Sequence, residues 1–170
     1  VVPVAPGAGT PTGTITFDFG DGTTPVAATL TGGAATVTRP YTSRSSGLFT
    51  VTATYTGSNS FAGSSGTDPH TVNRALSATT VVSSPDPSRP GQEVTVTATV
   101  TAVPPGAGTP TGSVTFTIGK RSPVTLPLVN GTASTAISSL NVGTQPITVA
   151  YTGSADFANS SGTDTHTVTA

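Results

Sequence analysis

The chain repeats itself. PGAGTPTGTITF at Pro6–Phe17 returns as PGAGTPTGSVTF at Pro105–Phe116, and YTGSNSFAGSSGTDPHTV at Tyr55–Val72 returns as YTGSADFANSSGTDTHTV at Tyr151–Val168. Pro6 to Pro105 is a shift of 99 residues and Tyr55 to Tyr151 one of 96, so the first copy carries three extra residues between the blocks. A period of that length exceeds the roughly 20–50 residues of solenoid repeats and matches one β-sandwich domain. Two copies of one module are expected, at residues 1–74 and 75–170. A module that recurs in tandem is more often a spacer or a binding unit than an enzyme.

The residues of each copy favour strands. Thirty-seven of the 170 residues are Thr, and Thr and Val, branched at Cβ, suit a pleated, half-buried surface. Fifteen Pro, twenty Gly and the lack of any sustained i, i+3, i+4, i+7 spacing argue against helices. In the second copy Ala78–Ser83 reads as a first strand, broken by Pro85, Pro87, Pro90 and Gly91. Within Gln92–Val103, Val94, Val96, Ala98 and Val100 face one way and Glu93, Thr95, Thr97 and Thr99 the other, a half-buried strand of period two. Ser113–Ile118 turns Val114, Phe116 and Ile118 inward. Pro123–Leu128 and Thr132–Ile137 flank Asn130-Gly131, a two-residue type I′ turn signal. Thr144–Thr152 and Thr163–Thr169 complete seven strands, an all-β Greek-key sandwich of the immunoglobulin class.

The first copy follows from its third strand onward: Thr14–Gly20 with Ile15, Phe17 and Phe19 inward, Val26–Leu30 and Ala34–Arg39 about Gly32-Gly33, Leu48–Thr56, and Thr67–Asn73. It has no counterpart of Ser77–Thr99, so a sandwich built from it lacks its first two strands, with an unpaired sheet edge and an open core. Either upstream residues complete it, or a strand is supplied in trans. The C-terminal strand has no spare neighbour to donate, which counts against self-donation. The linker Asn73–Ser77 is short and holds no Gly-Ser run, so end-to-end domains with limited bending are expected.

Composition removes several function classes. Only 8% of residues are charged, the net charge is −1, and the six basic residues are scattered, so the basic stripe of a nucleic-acid binder is missing. No apolar run approaches the roughly 20 residues of a membrane span. There is no Cys, hence no disulfide or thiolate site, which leaves an extracellular bacterial setting open.

Three stretches carry a family likeness. TTVVSSPDPSRPGQEVTVTATV at Thr79–Val100, GAGTPTGSVTF at Gly106–Phe116 and NVGTQPITVAYTGSADFANS at Asn141–Ser160 resemble bacterial Ig-like repeats of group 3. The likeness implies tandem modules in large secreted or surface-attached bacterial proteins, with some Ig-like modules on phage virions. In the first copy, FDFGDGTT at Phe17–Thr24 and RPYTSRSSGLFTVTATYTG at Arg39–Gly57 resemble PKD-type domains, with Phe17 in place of the motif's Trp and Phe49 in place of its second Tyr.

Candidate chemistry is sparse. Asp68 with His70, and Asp164 with His166, lie two apart on one strand face; two ligands are too few for a metal, and a carboxylate–imidazole hydrogen bond with partly buried rings is expected. Asp18 and Asp21 suggest Ca²⁺, but the second copy has Thr117 and Lys120 there, so a turn is expected. Gly7–Gly13 departs from a dinucleotide fingerprint in spacing and contains Pro11. No G-x-S-x-G elbow exists, and neither His is expected to face a Ser. Asn130-Gly-Thr132 and Asn159-Ser-Ser161 match glycosylation sequons in turns. Lys120, the only lysine, sits in a polar turn unsuited to an isopeptide cross-link. Tyr55 and Tyr151 are expected to cap the core with hydroxyls at the rim, Phe61 and Phe157 to pin a loop, and Tyr41 to be exposed. The expectation is a structural spacer of an extracellular or surface-attached bacterial protein, not an enzyme. No catalytic, metal or cofactor residues are expected, and the expected partners are the neighbouring repeats of its own chain, with surface glycans or proteins as further candidates. A carbohydrate- or protein-binding module and a virion-displayed Ig-like domain are the rivals.

Overall fold

The computed structural model describes residues 1–41 and 46–170. Every regular element in them is a strand, and the strands form three sheets. The described chain falls into two compact units, residues 1–72 (without the four undescribed positions) and 73–170.

The second unit holds β5 (Ser77–Ser84), β6 (Val94–Ala102), β7 (Ser113–Ile118), β8 (Val124–Pro127), β9 (Thr132–Ile137), β10 (Gly143–Tyr151) and β11 (Ser160–Val168). One sheet runs β5-β6-β9 and the other β11-β10-β7-β8. The chain crosses between them after β6, β8 and β9, which is Greek-key wiring. The alternation of β6 is obeyed: Val94, Val96, Ala98 and Val100 are buried, and they meet Phe116, Ile147 and Val149. Each such Val, Ile or Phe side chain contributes about 1.5–3 kcal/mol on leaving water, and Ala98 less. On the outer faces, hydroxyls pair across strands, Thr97 with Ser134 at 3.0 Å and Thr115 with Thr125 at 2.8 Å. Asn130 and Gly131 take φ of +50° and +76°, as a type I′ turn requires. The turn does not make a simple hairpin, however, because β8 and β9 leave it for different sheets. Most of the expected linker belongs to this unit. Ala75 exchanges backbone hydrogen bonds with Asp156 and Ala158, and β5 already begins at Ser77.

The first unit holds β1 (Thr14–Asp18), β2 (Val26–Thr29), β3 (Gly47–Tyr55) and β4 (Ser64–Val72), ordered β2-β1-β3-β4. This is the counterpart of the β8-β7-β10-β11 sheet. The strand expected at Ala34–Arg39 does not form a ladder; only the turn bridge Thr31–Ala34 is made. The reason lies in the second unit, where the equivalent β9 pairs solely with β6. Among the described residues of this unit no strand takes the place of β6, and 34–39 pairs with none. The inner face is correspondingly thin. Ile15, Leu30 and Tyr55 are buried, whereas Phe17, Ala53 and Phe61 are only half-buried.

Candidate functional site

The densest polar cluster lies where the first and last strands of the second unit meet. Ser160 Oγ is 2.7 Å from both Ser77 Oγ and Thr79 Oγ1. One turn further along, Ser83 donates its backbone N–H (2.9 Å) and its hydroxyl (2.7 Å) to Asp164 Oδ2. Beyond the prolines, Ser88 bridges to β11 through its backbone. Its N–H donates to Thr167 O and its carbonyl accepts from Thr169 N–H, both at 2.9 Å. The pairing is parallel and protects the outer edge of β11. Gly162 allows the close approach, since a Cβ there would collide with the carbonyl oxygen of Thr79.

At the end of this seam Ser88, His166 and Asp86 line up. Ser88 Oγ lies 2.8 Å from His166 Nε2, and His166 Nδ1 lies 3.3 Å from Asp86 Oδ1. At the second distance the atoms are not aligned as a hydrogen bond. Asp86 Oδ1 accepts instead from Thr167 N–H at 2.9 Å. The connectivity is that of a Ser-His-Asp triad. The setting is not, because His166 is 0% and Ser88 1% exposed, so no substrate carbonyl reaches the hydroxyl. The hydroxyl fixes the ring, and the ring fills the core end beside Val168.

Two expectations change here. His166 does face a Ser, brought from 78 positions away by the loop after β5. Asp164 and His166 do not bond each other: Asp164 is taken by Ser83, and the carboxylate beside the imidazole is Asp86. The Ser83 hydroxyl is the main cause holding the Asp164 carboxyl below its usual range, with the N–H groups of Thr165 and Ser83 adding to it against partial desolvation. The signal was present in Pro85-Asp-Pro-Ser88, which reads as a strand breaker because its prolines dominate.

In the first unit the equivalent His70 and Asp68 are exposed. Tyr41 is not exposed as expected. It stacks on Phe49 (ring centroids 5.4 Å) and on His70 (5.2 Å). In the acidic turn, Asp18 Oδ1 accepts Gly20 N–H at 2.9 Å. Asp21 Oδ1 accepts the Thr23 N–H and hydroxyl, and Oδ2 accepts Arg39 Nη2 at 2.7 Å. The Thr23 hydroxyl leads these partners in drawing the Asp21 carboxyl down to about 2. Three of the four carboxylate oxygens of Asp18 and Asp21 thus accept from protein donors. Among the described residues no group of three or more His, Cys, Asp or Glu is placed to hold a metal.

The repeated glycine-rich loops seat the tyrosines. Tyr55 Oη donates to Thr12 O at 2.7 Å and Tyr151 Oη to Thr111 O at 2.6 Å. Gly13 and Gly112, at φ +114° and +104°, let the loop backbone pass the rings. Phe157 is buried against the core and Phe61 half-buried. Lys120 is exposed in the turn after β7. A cleft of about 110 Å³ between Phe116, Ile118, Val124 and Ile137 is smaller than the ~300 Å³ at which small-molecule sites begin. Among the described residues, no helix is long and apolar enough to cross a membrane.

Comparison with known proteins bears on the second unit most directly. The model of the bacterial Ig-like domain (group 3) family matches residues 80–169. No curated protein sequence matches. Among solved structures, the fibronectin(III)-like modules of Clostridium thermocellum CbhA are 16% identical with a TM-score of 0.41, over 95% of this chain and 82% of that one. A structure concerned with host cell surface retention of a 1.5-MDa bacterial ice-binding adhesin is 17% identical with a TM-score of 0.39, over 95% of this chain and 55% of that one. Both likenesses are too distant to bear on function. The family match covers more than half of the chain and coincides with the seven-stranded unit, and the chain belongs to the bacterial Ig-like domain (group 3) family.

Proposed function

We propose that this chain is a spacer segment of an extracellular or surface-attached bacterial protein. It is built of tandem Ig-like modules whose partners are neighbouring repeats, and it has no catalytic activity of its own. One observation carries the reading: the polar residues of the second unit fasten its first strand to its last. β5 and β11 run in parallel across the seam, from Ser77–Ser160 through Ser83–Asp164 to Ser88–Val168. Tension applied at the two ends of such a unit enters through one of these strands and leaves through the other. Parallel strands pulled from opposite ends are sheared, so the fastenings resist together rather than one after another. A nine-residue strand spans about 30 Å, which sets the length each module adds.

Stretching single full-length chains by their ends tests this. The second unit is expected to yield in one cooperative event, at a force lowered by Asp164→Ala. An unfolding force indifferent to Asp164 refutes the mechanism. Reproducible glycan-array binding by the same chain replaces the spacer reading with a carbohydrate-binding one.

A further inference from the structure

We propose that the open side of the second unit, between β8 and β9, binds an extended peptide segment. The segment adds to β9 as a further strand, seats one aliphatic side chain in the cleft beside it, and places an acidic side chain on Arg121.

The two sheets of this unit are fastened along one side only. Across the seam β5 meets β11; on the opposite side the edge strands are β9 and β8, and no ladder joins them. The free edge of β9 carries unused backbone groups. Val100 N–H donates to Gly131 O at 2.8 Å, which fixes the phase of the β6–β9 ladder. Antiparallel pairs exchange both bonds at every second residue, so Ala133, Thr135 and Ile137 bond Ala98, Val96 and Val94. The N–H and C=O of Ser134 and Ala136 face the other way, and among the described residues no strand meets them. Neither a proline nor a charge guards this edge, for Thr132–Ile137 holds none. Two donors and two acceptors in that alternation match the backbone of another strand.

The cleft of about 110 Å³ opens beside the same residues, between Val124 of β8 and Thr135, Ala136 and Ile137 of β9, over the buried Phe116 and Ile118. A volume of that size, below the roughly 150 Å³ that holds a benzene molecule, takes one aliphatic side chain. In a strand paired at Ser134 and Ala136, the residue opposite Thr135 points to the core face, which here is the cleft.

Charge selects the kind of segment. Arg121 borders the cleft and is held by Nη1, which donates to Ser139 O at 3.0 Å and to Ser139 Oγ at 2.9 Å. Nε and Nη2 form the edge of the guanidinium whose parallel N–H groups match a carboxylate, and among the described residues they have no partner. Lys120 beside it is exposed and pairs with no described carboxylate. The carboxylates of the unit do not answer these cations: Asp164 accepts from Ser83, Asp86 from Thr167 N–H, and neither Glu93 nor Asp156 makes an ion pair among the described residues. The first repeat has Asp21 and Gly22 at the positions of Lys120 and Arg121, so the charge belongs to the second module alone.

The test is an NMR titration of the full chain with acetylated, amidated hexapeptides of alternating Thr and Val, carrying one Asp at each position in turn. The best of them is expected to slow amide exchange at Ser134 and Ala136, to shift the resonances of Val124 and Ile137, and to leave β11 unmoved. Asn in place of its Asp is expected to weaken binding about 3–10-fold, and Arg121→Gln to erase that difference. Ala in place of its Val residues is expected to weaken binding about 10-fold or more. Ala136→Pro removes an edge donor and no bond to β6, and is expected to weaken every peptide; should that variant not fold, N-methylation of the peptide backbone removes the same bonds from the other side. No change at Ser134 and Ala136 with any peptide at millimolar concentration overturns the proposal, as does equal affinity for the Asp and Asn forms. Slowing at these two amides that grows with protein concentration in the absence of peptide gives the edge to a second copy of this chain and overturns the peptide as occupant. The titration reads no unfolding force, so its outcome is separate from that of the spacer reading.

Discussion

Phe116 and Phe17 occupy the same repeat position in two different surroundings, and truncating each to Ala measures the difference. Phe116, on β7, is 1% exposed; it pairs with Val149 of β10 and Val124 of β8 and is covered by the β5-β6-β9 sheet. Its ring removal leaves a cavity that the surrounding strands fill only in part, so Phe116→Ala should cost about 3–5 kcal/mol. Phe17, on β1, makes the equivalent pairs with Ala53 and Val26, but among the described residues of its unit no second sheet forms, and it is half-buried. Part of its ring is in water already, and the site opens outward rather than enclosing a void. Phe17→Ala should therefore cost only ~1–2 kcal/mol. Native-state hydrogen exchange against urea, read separately at β10 and β3, gives a free energy for each unit. Losses equal within about 0.5 kcal/mol, or a larger loss in the first unit, would show that the second sheet is not what buries Phe116.

The Asp21 carboxyl, near 2, should rise more with Thr23→Val than with Arg39→Ala, because the Thr23 hydroxyl is its leading partner; an NMR titration of the two variants checks the order. The Asp164 carboxyl is depressed in the folded state, so its contribution is full above the unfolded value and is lost as pH falls through the folded one. Stability of the second unit should hold from pH 7 to about 5 and decline below about 4, with a shallower decline in Asp164→Asn. Tyr151→Phe and Tyr55→Phe should each cost about 0.5–1.5 kcal/mol in urea denaturation, since both hydroxyls bond a loop carbonyl whether or not the sandwich is closed. A cost confined to Tyr151 would mean that closure, not the loop bond, is what the hydroxyl serves.

The repeat and the period-two patterns made much of the second unit legible. The Val94–Val100 alternation marks β6 because one face of that strand is wholly buried, and Asn130-Gly131 marks its turn because few residue pairs accept two positive φ values. Ala34–Arg39 carries the same alternation and forms no ladder, since pairing depends on a partner strand and not on the segment's own residues. The Ser88–His166 contact joins a proline-rich loop to the last strand, and no local pattern encodes a meeting across 78 positions. His70 and His166 have near-identical sequence surroundings, yet one is exposed and the other buried, because burial is decided by what the opposite sheet supplies. Tyr41 escapes a sequence reading for a related reason: its stacking partners Phe49 and His70 come from two later strands.

A double-mutant cycle between Ser83 and Asp164 tests most directly whether the polar residues of the second unit serve as fastenings between its first and last strands. The pair makes two charge-assisted bonds, at 2.9 and 2.7 Å, across 81 positions of sequence. Ser83→Ala removes the hydroxyl bond and keeps the backbone one, so urea denaturation of the wild-type chain, Ser83→Ala, Asp164→Ala and the double variant should give a coupling energy of about 1–3 kcal/mol for the hydroxyl bond alone. A coupling below about 0.3 kcal/mol would contradict the account, because the two strands would then be held together without the bond on which it rests.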